Sequence, residues 1–135
     1  KTKKIKAVYC HNDGYLKHVG TILDSHYQDE SKVDELLKHG DISSLGNNIG
    51  EKINWDDVEL QHKNQQCMFY NRDRGEKRKP AAILEDDIAL IEFANEDCDA
   101  ECVYMYAFGA WYFYAIGKDH QFKELDDVLC KVYKD

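Results

Sequence analysis

The stretch CVYMYAFGAWYFYAI, residues 102–116, decides the fold. Two segments, Cys102–Ala107 and residues 111–116, are rich in aromatic side chains, which favour strands over helices. Phe108-Gly109-Ala110 lies between them and is a hairpin signal, because glycine accepts the backbone angles that tight turns require. The stretch is also shorter than the roughly 20 apolar residues that span a membrane. It therefore predicts an antiparallel aromatic hairpin.

Apolar periodicity on either side of the hairpin predicts the remaining elements. In chain order these are a strand over residues 3–9, helices over 15–27 and 30–38, a strand over 66–70, a helix over 84–95, and a helix over 122–133. Residues 41–64 are predicted as loop with short elements, and residues 71–79 as a polar loop. We therefore expect a single small α+β domain, residues 1–135, with a mostly antiparallel sheet of about four strands covered by helices.

The composition indicates a soluble cytoplasmic protein. Hydrophobic residues make up 43% of the 135 residues and charged residues 33%, as in globular domains. The five cysteines are odd in number and irregularly spaced, which favours reduced thiols over disulfides. Cys98 and Cys102 lack a second close pair, so we expect neither a metal site nor a cofactor. The basic residues 1–4 are not followed by an apolar segment of signal-peptide length.

The acidic residues are concentrated in one segment. Residues 81–117 contain no Lys or Arg, within a chain of net charge −8. Such a surface repels nucleic acid but suits a basic protein surface, where it imitates a phosphate backbone. The alternative is an ordinary solvated helix face. The predicted partner-binding acids are Glu85, Asp86, Asp87, Glu92, Glu96 and Asp97, in a run of eight that ends with Asp99 and Glu101.

The hairpin tyrosines form a second predicted partner surface. They are Tyr104, Tyr106, Tyr112 and Tyr114. One face of the hairpin must be core, and the other is then available to a partner or to a second copy. Core packing alone is the alternative. Because like-charged acidic domains repel one another, we expect a monomer or a weak dimer.

A small-ligand site is predicted at the turn after the first strand. His11 can transfer protons near neutral pH, and Asp13 can orient it. Arg72 and Arg74 can bind a carboxylate or phosphate if their loop meets this turn. The alternative is a helix cap beside an exposed charged loop. The predicted ligand residues are Tyr9, His11, Asp13, Tyr15, Arg72 and Arg74. We expect no catalytic residue, since no nucleophile lies near a base in a known motif.

Several motifs resemble a family of small proteins carried by phages and prophages of Gram-positive bacteria. They are YCHNDGY at residues 9–15, GDISSLG at residues 40–46, RDRGE at residues 72–76 and the aromatic hairpin. The resemblance covers most of the chain and implies a phage setting rather than a particular reaction. Asn12 departs from the family, which usually has an aromatic residue after the histidine.

Together these features predict a non-enzymatic accessory protein in the host cytoplasm. It would bind and inhibit a host protein with a basic surface, such as a nucleic-acid-binding nuclease of a defence system of the CRISPR kind. The phage setting comes from the resemblance, and the binding mode comes from the acidic segment and the aromatic hairpin. The alternative is a small-ligand or nucleotide-binding domain that uses the turn at His11 and Asp13 with the loop at Arg72 and Arg74.

Overall fold

The structure is a computed structural model in which residues 4–12 and 14–131 are described. In chain order the strands are β1 (Ile5–Ala7), β2 (Ile42–Ser44), β3 (Met68–Phe69), β4 (Ala82–Leu84), β5 (Cys102–Ala107), β6 (Ala110–Ala115) and β7 (Lys123–Glu124). The α-helices are α1 (Thr21–His26), α2 (Glu30–Lys38), α3 (Val58–Asn64), α4 (Asp87–Glu92) and α5 (Leu125–Leu129). A π-helical turn, Leu16–Gly20, precedes α1, and another, Phe93–Asp97, follows α4. The α+β class is confirmed.

The aromatic hairpin forms as the sequence predicts. Strands β5 and β6 pair antiparallel along their whole length, with Tyr104 opposite Phe113. The turn residues Phe108 and Gly109 have φ angles of 54° and 78°. Positive φ at both positions is the type I′ geometry, whose twist matches that of paired strands. Strand β6 begins at Ala110, one residue earlier than expected, because Ala110 pairs with the last residue of β5.

The strands are antiparallel as predicted, but they divide among three small sheets rather than joining one sheet of about four strands. The sheets are β1–β4, β2–β3 and β5–β6–β7. Leu84, predicted as the first residue of a helix, instead belongs to β4 and pairs with Ile5. Strand β7 places Lys123 and Glu124 against β6, at positions predicted to start the last helix. Pairings between such short segments depend on partners far away in sequence.

The hairpin lies between two hydrophobic cores because its side chains alternate between two faces. Tyr104 and Phe113 face the larger core, whose fully buried members include Tyr27, Phe69 and Leu125. Val103 points the other way, into a smaller core with Leu90 and Ala94 of α4 and its π-helical extension. Ile5 and Ala7 of β1 pack against this smaller core, as the predicted alternation requires.

Two predicted helices are shorter in the structure, and one helix was not predicted. Helix α4 begins at Asp87, where the Asp86 carboxylate caps it by accepting the Ala89 N–H at 2.9 Å. Helix α5 begins at Leu125, and the predicted helix residues 132–133 lie outside the described part of the chain. Helix α3 forms within a predicted loop, capped by Asp57. Within residues 4–12 and 14–131, none of the helices has both the length and the apolarity needed to cross a membrane.

The predicted helix over 15–27 is divided into a π-helical turn and α1, and Gly20 lies where the two meet. A Cβ atom at this position would lie 3.0 Å from Leu16 and 3.4 Å from both Leu125 and Tyr104. Glycine therefore lets α5 and β5 approach the backbone closely at this point. The glycine that weakens the helical pattern in the sequence serves tertiary packing.

Phe108 at the hairpin tip combines two unfavourable features. Its side chain is 99% exposed, and its φ of 54° lies in the left-handed region, which costs a non-glycine residue about 1–2 kcal/mol. Asn tolerates this region, and Asn-Gly is the preferred sequence of type I′ turns. We expect Phe108→Asn to raise the free energy of unfolding by about 1 kcal/mol, measured by urea denaturation. Phe108→Ala keeps the backbone strain, so equal stabilisation by Ala would contradict this explanation.

Candidate functional site

All eight acidic side chains of the acidic segment are solvent-exposed. We call its eight carboxylates the acidic face: Glu85, Asp86, Asp87, Glu92, Glu96, Asp97, Asp99 and Glu101. Of these eight carboxylates, only that of Glu85 forms an ion pair within the described residues. Its partner is Lys4, at 3.2 Å, and both side chains are exposed. Asp86 is used as the cap of α4. The remaining six carboxylates form no ion pair with a described Lys, Arg or His, so their charge faces solvent.

The hairpin tyrosines do not form an open surface. Their rings are half-buried, and both faces of the hairpin pack against other parts of the chain. The Tyr104 hydroxyl donates to the Gly14 carbonyl at 2.9 Å, and the Tyr106 hydroxyl donates to the Gln28 carbonyl at 2.8 Å. Tyr114 contacts the Phe122 ring, while Tyr112 pairs across the sheet with residues of β5 and β7. Core packing, the alternative considered from the sequence, thus accounts for most of this aromatic surface.

Arg72 is held by hydrogen bonds to its neighbour Asp73 and to other segments of the chain. Its guanidinium donates to the carboxylate of Asp73 at 3.1 Å and to the carbonyls of Ile49, Gly50 and Cys67 at 2.8–3.1 Å. These bonds use most of its five N–H donors. The role of Arg72 is therefore to close the loop around a buried carboxylate, and it is not placed as an open clamp for a ligand.

Arg74 is exposed but already has two partners. Its guanidinium lies 5.3 Å from the centre of the Trp55 ring and forms an ion pair with Glu76 at 3.2 Å. Trp55 in turn contacts the ring of Tyr70 at 5.6 Å. Arg74 thus continues a row of aromatic rings, through Trp55 and Tyr70, that leads to His11.

His11 lies at a small polar cleft, and its partner there was not predicted. The Nδ1 atom of His11 is 2.5 Å from the Tyr70 hydroxyl oxygen, a short hydrogen bond. Tyr9 stacks on the other side of His11, with 5.9 Å between ring centres. The cleft has a volume of about 220 Å³ and is lined by His11, His39, Asp41, Tyr70, Asn71, Glu76, Lys77 and Lys79.

His39 enters the cleft from the end of α2. Its ring packs on Phe69 with 4.5 Å between centres. Burial lowers the pKa of this imidazole, and the nearby Arg72 cation lowers it further. Both effects disfavour a positive charge on His39 at the cleft.

Of the six predicted ligand residues, the structure brings two to the cleft and places three others elsewhere. His11 lines the cleft, and the Tyr9 ring stacks on the His11 ring. Tyr15 is exposed beside His18, while Arg72 and Arg74 have the partners described above. Asp13 lies outside the described residues. Sequence reasoning missed His39, Asp41, Tyr70, Lys77 and Lys79. The basic run 77–79 was visible, but no local pattern places it beside His11.

Comparison with known proteins adds no relative. No protein-family model matches the chain, and no curated protein or solved structure matches it at a significant level. These comparisons therefore give no support to any particular function.

Proposed function

We propose that this chain is a protein-binding domain whose acidic face docks on the basic surface of a partner. The observation that carries the proposal is the run of eight exposed carboxylates between Glu85 and Glu101, with no Lys or Arg from residue 81 to residue 117. Unpaired surface charges of one sign attract an oppositely charged surface and accelerate association. A solvated helix face normally mixes both signs, whereas residues 81–117 contribute no Lys or Arg.

Exposed apolar side chains beside these acids support a protein partner. Ile88, on the first turn of α4, is 65% exposed, and Ile83 of β4 is 57% exposed. Protein interfaces combine a desolvated apolar centre with a charged rim, and the centre provides most of the affinity. A simple polycation needs no such apolar contact. The combination of Ile88 with the flanking carboxylates therefore favours a folded basic protein as the partner.

The finer proposal is that the partner is a host protein and that binding inhibits it. This step rests on the resemblance to phage and prophage proteins and on the ability of an acidic surface to imitate a phosphate backbone. A nucleic-acid-binding nuclease of a host defence system has the basic channel that such a surface would occupy. Identification of the partner distinguishes inhibition of such a host protein from binding to a different kind of protein.

The proposal predicts that charge reversal on the acidic face abolishes capture of one specific protein. The variant Asp87→Lys, Glu92→Lys, Glu96→Lys leaves the cap residue Asp86 and the paired Glu85 unchanged. We expect this triple variant to weaken partner binding at least about tenfold at low salt, because each reversal replaces attraction by repulsion. Affinity capture from a bacterial host lysate, followed by mass spectrometry and titration of the purified partner, measures it.

A matched control has the same change in net charge at a different place. Glu30, Asp34 and Glu59 are also exposed helical acids outside the acidic face, so the variant Glu30→Lys, Asp34→Lys, Glu59→Lys is suitable. The proposal requires a protein that the wild type and this control retain and the acidic-face variant loses. Equal loss in both triple variants would show a dependence on net charge alone and would contradict a defined acidic docking face.

A further inference from the structure

The polar cleft at His11 is formed by three separate segments of the chain. They are the segment that follows β1, the end of α2 with the residues after it, and the loop between β3 and β4. The first two are joined where the backbone N–H of Tyr9 donates to the Asp41 carboxylate at 3.1 Å. The short hydrogen bond between His11 and Tyr70 joins the first segment to the third.

The loop that holds the lysines is fixed against the end of α2. Gly40 has a φ of 81°, and a Cβ atom there would lie 2.7 Å from the Lys79 carbonyl oxygen. Only glycine permits both this backbone conformation and this approach. The Arg78 guanidinium also donates to the Lys38 carbonyl at 3.0 Å. The backbone of residues 77–79 is thus held at the cleft, whatever the lysine side chains contact.

The charges at the cleft leave its ammonium groups more available than its carboxylates. Lys77 forms no ion pair with any described residue, and the contact of Lys79 with Asp41 is long, at 3.9 Å, with Lys79 81% exposed. Such an exposed contact contributes little free energy. The carboxylates are better satisfied, because Asp41 accepts the Tyr9 N–H and Glu76 pairs with Arg74.

We propose that this cleft binds the phosphate group of a small molecule. Lys77 and Lys79 would neutralise the phosphate, and the pair formed by His11 and Tyr70 would donate a hydrogen bond to it. A phosphate oxygen accepts such charge-assisted bonds strongly. The volume of about 220 Å³ accommodates a phosphate with part of its carrier. With a net charge of −8, the chain also disfavours a long polyanion.

This inference does not depend on the proposed acidic docking face, since no residue belongs to both. The proposed ligand is of the class that the sequence suggested beside His11. The cations that would bind it are different from those that the sequence suggested. Arg72 and Arg74 have internal partners, whereas Lys77 and Lys79 line the cleft.

The test uses adenosine monophosphate, inorganic phosphate and adenosine as probes, titrated at low salt by calorimetry and by amide NMR shifts. We expect adenosine monophosphate and inorganic phosphate to bind with dissociation constants in the millimolar range or below. Adenosine, which lacks a phosphate, should not bind. The double variant Lys77→Gln, Lys79→Gln is expected to weaken binding at least about tenfold. Tyr70→Phe is expected to weaken it several-fold, because it breaks the His11–Tyr70 pair that donates to the phosphate.

The control variant Lys17→Gln, Lys52→Gln removes two exposed lysines elsewhere and makes the same change in net charge. Its affinity for both phosphates should equal that of the wild type. Several outcomes would overturn the proposal: no saturable binding of either phosphate, equal weakening in the control, binding of adenosine alone, or shifted amides outside the three segments of the cleft. Tighter binding of an oligonucleotide than of the monophosphate would also overturn it, in favour of nucleic acid.

Discussion

Replacing Asp73 with Ala is expected to lower the free energy of unfolding by about 3–5 kcal/mol, because Arg72 is then left partly buried without its counter-charge. The Asp73 carboxylate has no exposed side-chain surface. It accepts the backbone N–H groups of Phe69 at 2.9 Å and Ile53 at 3.2 Å in addition to the Arg72 guanidinium. One substitution thus leaves three donors without their acceptor. Urea denaturation measures the loss.

Two further variants isolate the cause of that loss. Arg74→Ala changes an exposed neighbour in the same loop and is expected to alter stability by no more than about 0.5 kcal/mol. Asp73→Asn keeps the side-chain shape but removes the charge, so we expect an intermediate loss. If Asp73→Ala cost less than about 1 kcal/mol, the carboxylate would not hold this loop together, and the structural role given to Arg72 would be wrong.

Replacing Tyr27 with Ala is expected to cost about 3–5 kcal/mol, because a fully buried aromatic ring leaves a cavity in the larger core. Its hydroxyl donates to the Gly46 carbonyl at 2.8 Å and lies 3.2 Å from the Cys67 Sγ. Burial raises the pKa of this phenol well above its usual value, so it remains a donor across the pH range of folded proteins. The Lys32 ammonium lies 4.2 Å from the ring centre.

A substitution series at Tyr27 separates the ring from the hydroxyl. Tyr27→Phe removes only the hydrogen bond and is expected to cost about 1 kcal/mol. Tyr15→Ala, at a tyrosine that is 55% exposed, is the matched control and should change stability by no more than about 0.5 kcal/mol. Thermal and urea denaturation of the three variants measure these differences. Equal losses for Phe and Ala at Tyr27 would contradict the cavity explanation.

The two proposed binding surfaces adjoin at Tyr9 but use different residues. Burial is the main cause that raises the pKa of the Tyr9 phenol, and the Cys98 and Cys10 thiols, Tyr70 and Asp99 raise it further. Asp99 belongs to the acidic face, whereas Tyr70 lines the cleft. The charge-reversal and lysine variants change different residues and leave Tyr9, Tyr70 and Asp99 unchanged, so loss of partner capture and loss of phosphate binding can be measured independently.

The elements predicted best are those with strong local signals. Alternating aromatic residues and a glycine turn define the hairpin without reference to the rest of the chain. Helix α2 follows its apolar spacing and matches the predicted residues 30–38. The exposure of the acidic face also follows from composition, because eight carboxylates without a neighbouring base cannot be buried.

The elements predicted least well have weak or misleading local signals. The sequence pattern assigns both Leu84 and Lys123 to helices. In the structure, Leu84 pairs with Ile5 of β1, and Lys123 pairs with β6. Both pairings complete the backbone hydrogen bonds of a short sheet, which local propensity does not reveal. Residues 58–64 form α3 inside a stretch whose polar composition predicts a loop.

The sequence by itself determined the class of fold, the aromatic hairpin, one helix and the acidic face. Only the tertiary structure decided the roles of the charged loop residues. Arg72 and Arg74 look equivalent in sequence, yet the buried carboxylate of Asp73 holds the first and the Trp55 ring contacts the second. The lysines beside His11 reach the cleft because Gly40 admits the Lys79 backbone. Tertiary contacts of this kind carry no local period, so the folded chain alone reveals them.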